Sequence, residues 1–186
     1  MTATISVGPL TASHRPRIEE IVRAAGVFSE EEIGVALELF DAASGQWEAR
    51  SPEHAVGALP ATSFPSPDYE FIGGFEGDQL LGYACFGATP STDRTFDLYW
   101  IAVHPEAQRA GVGSALMAEV ERQLQSRRAR LIVIETSSRE DYAPTRQFYQ
   151  RRGYHETARL RDFYAPGDDR VVLTKRVGVL QQAPYE

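Results

Sequence analysis

The run Ile101-Ala-Val-His-Pro-Glu-Ala-Gln-Arg-Ala-Gly-Val-Gly-Ser114 constrains the fold of this chain more than any other. It joins an apolar stretch to an amphipathic one through a basic turn that carries two glycines. Gly111 and Gly113 let the main chain approach a ligand without side-chain obstruction, and a helix opening there presents its first unpaired amides at its positive dipole end. Such a turn is an anion cradle that suits a pyrophosphate. Upstream, Thr95 to Val103 alternates, with Phe96, Leu98, Trp100 and Ala102 on one face and Asp97, Tyr99, Ile101 and Val103 on the other. That pattern predicts a central strand covered on both sides. Downstream, Val112, Leu116, Met117, Val120 and Leu124 recur at helical spacing, and Leu131-Ile-Val-Ile-Glu135 is a short apolar strand. The three segments make a βαβ unit with a right-handed crossover.

A Gly-x-Gly pair alone also fits a tight strand-to-helix turn that binds nothing, so the neighbouring positions matter. Met117 stands near where a dinucleotide fingerprint needs its third glycine, which argues against a Rossmann site. Ser114 follows Gly113 with no lysine between them, which excludes the usual phosphate loop of ATP- and GTP-binding proteins.

Gln108-Arg-Ala-Gly-Val-Gly113, after a strand ending in Ile101-Ala-Val103, resembles the acyl-CoA-binding signature of the GCN5-related N-acetyltransferases (GNAT). Arg146-Gln-Phe-Tyr-Gln-Arg-Arg-Gly-Tyr154 is similar to that family's second signature: an apolar residue, tyrosine, three variable residues, glycine and an aromatic. The two in this order are far more specific than either alone. The similarity spans roughly Tyr69 to Arg176 and implies an α/β (α+β) fold: a mixed, largely antiparallel sheet of six to seven strands with a βαβ acetyl-CoA-binding unit and flanking helices. Residues 1–186 are read as a single N-acetyltransferase domain, best matched over 69–176 and preceded by a helical, then irregular, N-terminal part.

The resemblance implies an acetyl-CoA-dependent N-acetyltransferase acting on a primary amine, by direct attack in a ternary complex without metal. The CoA phosphates are expected on the amides of Arg109, Ala110, Gly111, Val112, Gly113 and Ser114, with Gln108 also among the cofactor-binding residues, and the pantetheine arm along the backbone of Ile101 and Val103. The Val103 amide is the expected oxyanion donor. Tyr149 is the expected general acid; its alternative is a core aromatic beside Phe148. Glu135 is the expected base and Asp97 its rival, either of which is otherwise a hydrogen-bonded structural carboxylate. One departure is plain: the family's common asparagine, seven residues before the tyrosine, is replaced by Tyr142, so its role is not carried over. Tyr142 and Tyr164 are expected acceptor-site walls. Arg161-Asp-Phe-Tyr164, followed by a turn and a strand, is similar to the subgroup that modifies ribosomal-protein N termini, which adds weight to a peptide or protein acceptor over a small molecule. A non-catalytic acyl-CoA sensor and a ligand-free interaction protein are the competing readings.

Composition narrows partners. A net charge of -7 disfavours nucleic acid. No stretch approaches the ~20 apolar residues of a membrane span, and the N-terminus lacks signal-peptide character, so the expected location is the cytoplasm without a membrane partner. A homodimer is left open. The single cysteine, Cys85, reads as a small strand residue, and the four histidines lack metal-ligand spacing. Helices are expected over Arg15 to Ala25, Ser29 to Ala43 and Pro144 to Arg152, and an irregular segment over Ser44 to Pro67. Further strands are expected over Tyr69 to Phe75, Gln79 to Gly87, His155 to Phe163 and Arg170 to Arg176.

Overall fold

The computed structural model describes residues 4–44 and 69–177. Strand β1 (Ile5–Pro9) precedes helices α1 (Arg15–Ala25) and α2 (Glu30–Ala43). The antiparallel strands β2 (Glu70–Glu76), β3 (Gln79–Ala88) and β4 (Thr95–Val103) follow. Helix α3 (Val112–Ser126) leads to β5 (Leu131–Ser137), and helix α4 (Ala143–Gln150) leads to the hairpin of β6 (His155–Ala165) and β7 (Asp168–Arg176). All seven strands form one sheet in the order β1-β2-β3-β4-β5-β7-β6, antiparallel except for the β4–β5 pair. The expected mixed sheet is therefore present with seven strands. The short, glycine- and proline-bearing β1 was not expected, and of the irregular segment all but Ser44 lies outside the described residues.

Local chemistry explains the helix ends. Ser29 caps α2 by accepting from the Glu32 amide, and the Glu32 carboxylate accepts from the Ser29 amide at 2.7 Å, a reciprocal box that satisfies two otherwise orphaned donors. Gly26 ends α1 in the left-handed region at φ 71°. Arg15 Nε donates to Asp41 at 2.7 Å and ties the two helices together.

The sheet is covered on both faces. On one, Leu116, Met117, Val120 and Leu124 of α3 and Tyr149 of α4 pack against Phe96, Leu98, Ile132, Ile134, Val171 and Leu173. On the other, Ile18, Ile21 and Val22 of α1 and Ile33, Leu37 and Phe40 of α2 pack against Leu80, Tyr83 and Ala102. Each fully buried aliphatic or aromatic side chain contributes about 1.5–3 kcal/mol of transfer free energy.

The predicted alternation along β4 is broken. Cys85 faces Trp100 and Phe86 faces Leu98, so Tyr99 is an extra residue, a β-bulge. Before it, even-numbered Phe96 and Leu98 point to the α3 core; after it, odd-numbered Ile101 and Val103 do, and Trp100 and Ala102 turn to α1 and α2. Asp97 therefore does not share a face with Ile101 and Val103.

Candidate active site

Strands β4 and β5 pair only from Thr95↔Leu131 to Leu98↔Ile134. Beyond that point β4 continues to Val103 against β3, and β5 continues to Ser137 against β7, so a gap opens between them. The amide of His104 donates to Leu81 O at 2.8 Å. Antiparallel alternation then makes Gly82↔Val103 and Ala84↔Ile101 the pairs whose peptide groups point away from each other. The N–H and C=O groups of Ile101 and Val103 thus face the gap, free to pair with an extended ligand as a strand would.

The same strand leads into the cradle. After a short helical turn (Pro105–Ala107), the exposed residues Gln108 to Gly111 bend the chain, with Arg109 and Gly111 both left-handed at φ 69° and 90°. A Cβ on Gly111 would meet no atom within 4 Å, so its missing side chain serves backbone conformation and an open approach. The α3 ladder begins where Ala115 N–H donates to Gly111 O at 2.9 Å. The amides of Val112, Gly113 and Ser114 precede it and have no partner within the helix. Helix α4 approaches closely at this point: a Cβ on Gly113 would lie 3.4 Å from the Phe148 ring.

Tyr149 is 3% exposed and meets the rings of Phe148 and Tyr154 edge-on at 5.4 and 5.9 Å. Burial raises its pKa, and the charge of Arg152 pulls the other way. Phe148 is only half-buried, and Arg152 lies over its ring at 3.6 Å. The two neighbours on α4 thus divide the work, Tyr149 inward and Phe148 against the cradle.

Glu135 lies on the face of β5 opposite Ile132 and Ile134, with its side chain 40% exposed and ion-paired to Arg170 of β7. Arg170 also lies over the Phe163 ring at 4.9 Å. Asp97 is deeper in the β4–β5 pair, opposite Val133, where it accepts from Thr89 Oγ1 at 2.6 Å and from Tyr99 OH at 3.4 Å. Burial, with the Asp97 charge adding to it, pushes the Tyr99 phenol up to about 12. Of the two carboxylates, Glu135 follows the last β4–β5 pair and Asp97 does not reach the opening.

The remaining groups at this face come from distant parts of the chain. Val27 O, in the loop between α1 and α2, accepts from Arg139 Nη2 at 3.2 Å and from Tyr142 OH at 3.3 Å. Phe28 of that loop packs on Trp100 with ring centroids 4.8 Å apart. Burial, then the negative charge of Glu32, raises the Tyr142 phenol to about 12. Tyr164, 50% exposed beside Phe163, also feels Asp168 and Glu32, which places the two tyrosines around the same carboxylates. Phe28, Trp100, Arg139 and Arg170 carried no motif that marked them in the sequence. Arg152 did stand in one, as the residue before Gly153.

A separate hollow of ≈ 340 Å³, lined by Val7, Pro9, Phe71, Ile72 and Glu119 among others, lies against β1 and β2 and shares no residue with the cradle. Among the described residues no group of three His, Cys, Asp or Glu side chains is arranged to hold a metal ion, and no helix is long and apolar enough to cross a membrane.

A strand that leaves its parallel neighbour and runs straight into a glycine-bearing anion cradle matches one family model: residues 36–154 fit the acetyltransferase (GNAT) family, and the chain belongs to it. Among solved structures, a GNAT-family protein from Desulfovibrio desulfuricans is similar at 35% identity and a TM-score of 0.80, over 94% of this chain and 100% of that one. The fold is shared with the ribosomal-protein-S18-alanine N-acetyltransferase of Escherichia coli (17% identity, TM-score 0.68, 98% of this chain and 100% of that one). It is also shared with YncA of Salmonella typhimurium, solved with its cofactor acetyl-CoA (16% identity, TM-score 0.66, 97% and 96%). No curated protein matches the chain.

Proposed function

We propose that this chain acts in the cytoplasm as a single-domain, acetyl-CoA-dependent N-acetyltransferase, transferring the acetyl group to a primary amine of a small molecule, peptide or protein. The observation that carries the reading is the unpaired end of β4. Its peptide groups at Ile101 and Val103 face the gap, and the chain continues directly into the free amides of α3. One ligand with an extended, amide-bearing arm and a diphosphate would engage both. YncA with acetyl-CoA, and the PaiA N-acetyltransferase of Thermoplasma acidophilum in complex with coenzyme A, support this cofactor.

A thioester is already activated, so the chain has three tasks. Glu135 accepts a proton from the incoming ammonium, directly or through water, after Arg170 yields the carboxylate oxygen. The Val103 N–H holds the oxyanion. Tyr149 returns a proton to the departing thiolate, as a neutral phenol whose burial keeps it protonated. Asp97, held by Thr89, fits a structural role better than a base.

The first experiment is thermal unfolding with and without acetyl-CoA, followed by thiol release across a panel of amines and N-terminal peptides. A raised melting temperature with amine-dependent thiol release supports transfer. A raised melting temperature with no release from any amine favours the acyl-CoA sensor, a reading to which the Glu135–Arg170 ion pair lends weight. No shift at saturating acetyl-CoA defeats both.

A further inference from the structure

Arg152, on the turn that closes α4, is clamped against the start of α3. Its Nη1 donates to Phe148 O at 2.9 Å, its Nη2 donates to Ser114 Oγ, and its guanidinium plane lies 3.6 Å from the centre of the Phe148 ring. The Phe148 carbonyl and ring face favour a cation there, but no carboxylate neutralises it. A helix N-terminus carries partial positive charge, so an arginine beside it is unfavourable. Partial burial adds to the cost and lowers the arginine's pKa. Arg15 and Arg170, also partly buried, have carboxylate partners in Asp41 and Glu135, while Arg130 and Arg146 donate to main-chain carbonyls instead. Arg152 has no ion pair among the described residues; Glu121, whose charge reaches it, is bound by Lys175 at 2.7 Å. Two of its five N–H groups are used by the carbonyl and the hydroxyl, which leaves donors for an anion.

We propose that Arg152 binds the diphosphate of acetyl-CoA, adding a side-chain charge to the main-chain amides of the cradle. The proposal rests on the cofactor reading above. It makes the α4 turn part of the cofactor site: the anion relieves the unpaired cation and the helix dipole together, and Phe148 holds the guanidinium in place before the ligand arrives.

The test compares wild type, Arg152→Met and Arg152→Lys against three probes: acetyl-CoA, acetyl-dephospho-CoA, which keeps the diphosphate but lacks the 3′-phosphate, and S-acetylpantetheine, which has no phosphate beyond the arm. Arg152→Met should weaken acetyl-CoA and acetyl-dephospho-CoA by the same factor, about ten- to a hundredfold. It should leave the affinity for S-acetylpantetheine unchanged, while Arg152→Lys recovers part of the loss. Unchanged acetyl-CoA affinity in Arg152→Met overturns the proposal, as does an equal loss for S-acetylpantetheine, which would mark a structural role. Loss for acetyl-CoA but not for acetyl-dephospho-CoA overturns the diphosphate assignment in favour of the 3′-phosphate. Failure of the wild type to bind acetyl-CoA overturns the cofactor reading itself.

Discussion

On the α3 side of the gap between β4 and β5, the groups proposed to meet a ligand are almost all main-chain: the peptide units of Ile101 and Val103 and the first amides of α3, with φ 90° at Gly111 setting their direction. On the α1–α2 side they are side chains drawn from five separate segments: Phe28, Trp100, Glu135, Tyr142 and Tyr164. A backbone site depends on conformation and tolerates most side chains, which suits a cofactor whose shape does not change. A side-chain site changes with each substitution and can be retuned without disturbing the strand proposed to hold the cofactor. Substitutions on the two sides should therefore separate cleanly in what they damage.

The largest effect belongs to the backbone side. Gly111→Glu puts a carboxylate where the phosphates should lie and a side chain on a residue at φ 90°. Repulsion between close charges at a protein surface is worth about 4 kcal/mol, so acetyl-CoA affinity should fall about a thousandfold by calorimetry. Because a Cβ there meets no neighbouring atom, the protein itself should still fold. A Gly111→Glu variant that binds acetyl-CoA like the wild type would break the comparison at its stronger end.

Next comes Tyr149, buried in the core on the α3 face. Tyr149→Phe keeps the buried ring against Phe148 and Tyr154 and removes only the hydroxyl. Turnover should drop about a hundredfold, the usual worth of a positioned acid, with acetyl-CoA affinity unchanged. Equal loss in affinity would move Tyr149 into the packing of the cradle. Glu135→Gln should lower turnover at least about tenfold, whereas Asp97→Asn should leave it within a few-fold and cost about 1 kcal/mol of stability through its bond with Thr89. The reverse ranking would put the base inside the paired part of β4 and beyond the reach assumed for it.

The same division explains what could be read from the chain alone. The Gly-x-Gly spacing, the Ser29–Glu32 box and the periodicity of α3 are local, and the cradle and helices were legible because a short window contains all their determinants. The bulge at Tyr99 was not, because apolar residues on both faces of β4 make an unbroken alternation and a shifted one look alike. Strand β1 was hidden for a different reason: five residues with a glycine and a proline gain their place only by pairing with β2, more than sixty positions away. Arg170 with Glu135, and Val27 with Tyr142, are likewise contacts between distant segments, so the acceptor side left no local signature.

The smallest predicted effect tests the acceptor side by itself. Tyr142 occupies the position of the family's asparagine, and its hydroxyl is spent on Val27 O, in company with Arg139. Tyr142→Phe removes one of the two donors that hold the α1–α2 loop over Trp100, at a net worth of about 1 kcal/mol. The KM for the acceptor amine should rise about three- to fivefold while the KM for acetyl-CoA stays put. A matching rise for acetyl-CoA would mean that Tyr142 has kept a cofactor role through a different group. An unchanged acceptor KM would mean that Arg139 alone fixes the loop, and the double variant with Arg139→Met would then show the full loss, since two donors to one carbonyl are coupled rather than additive.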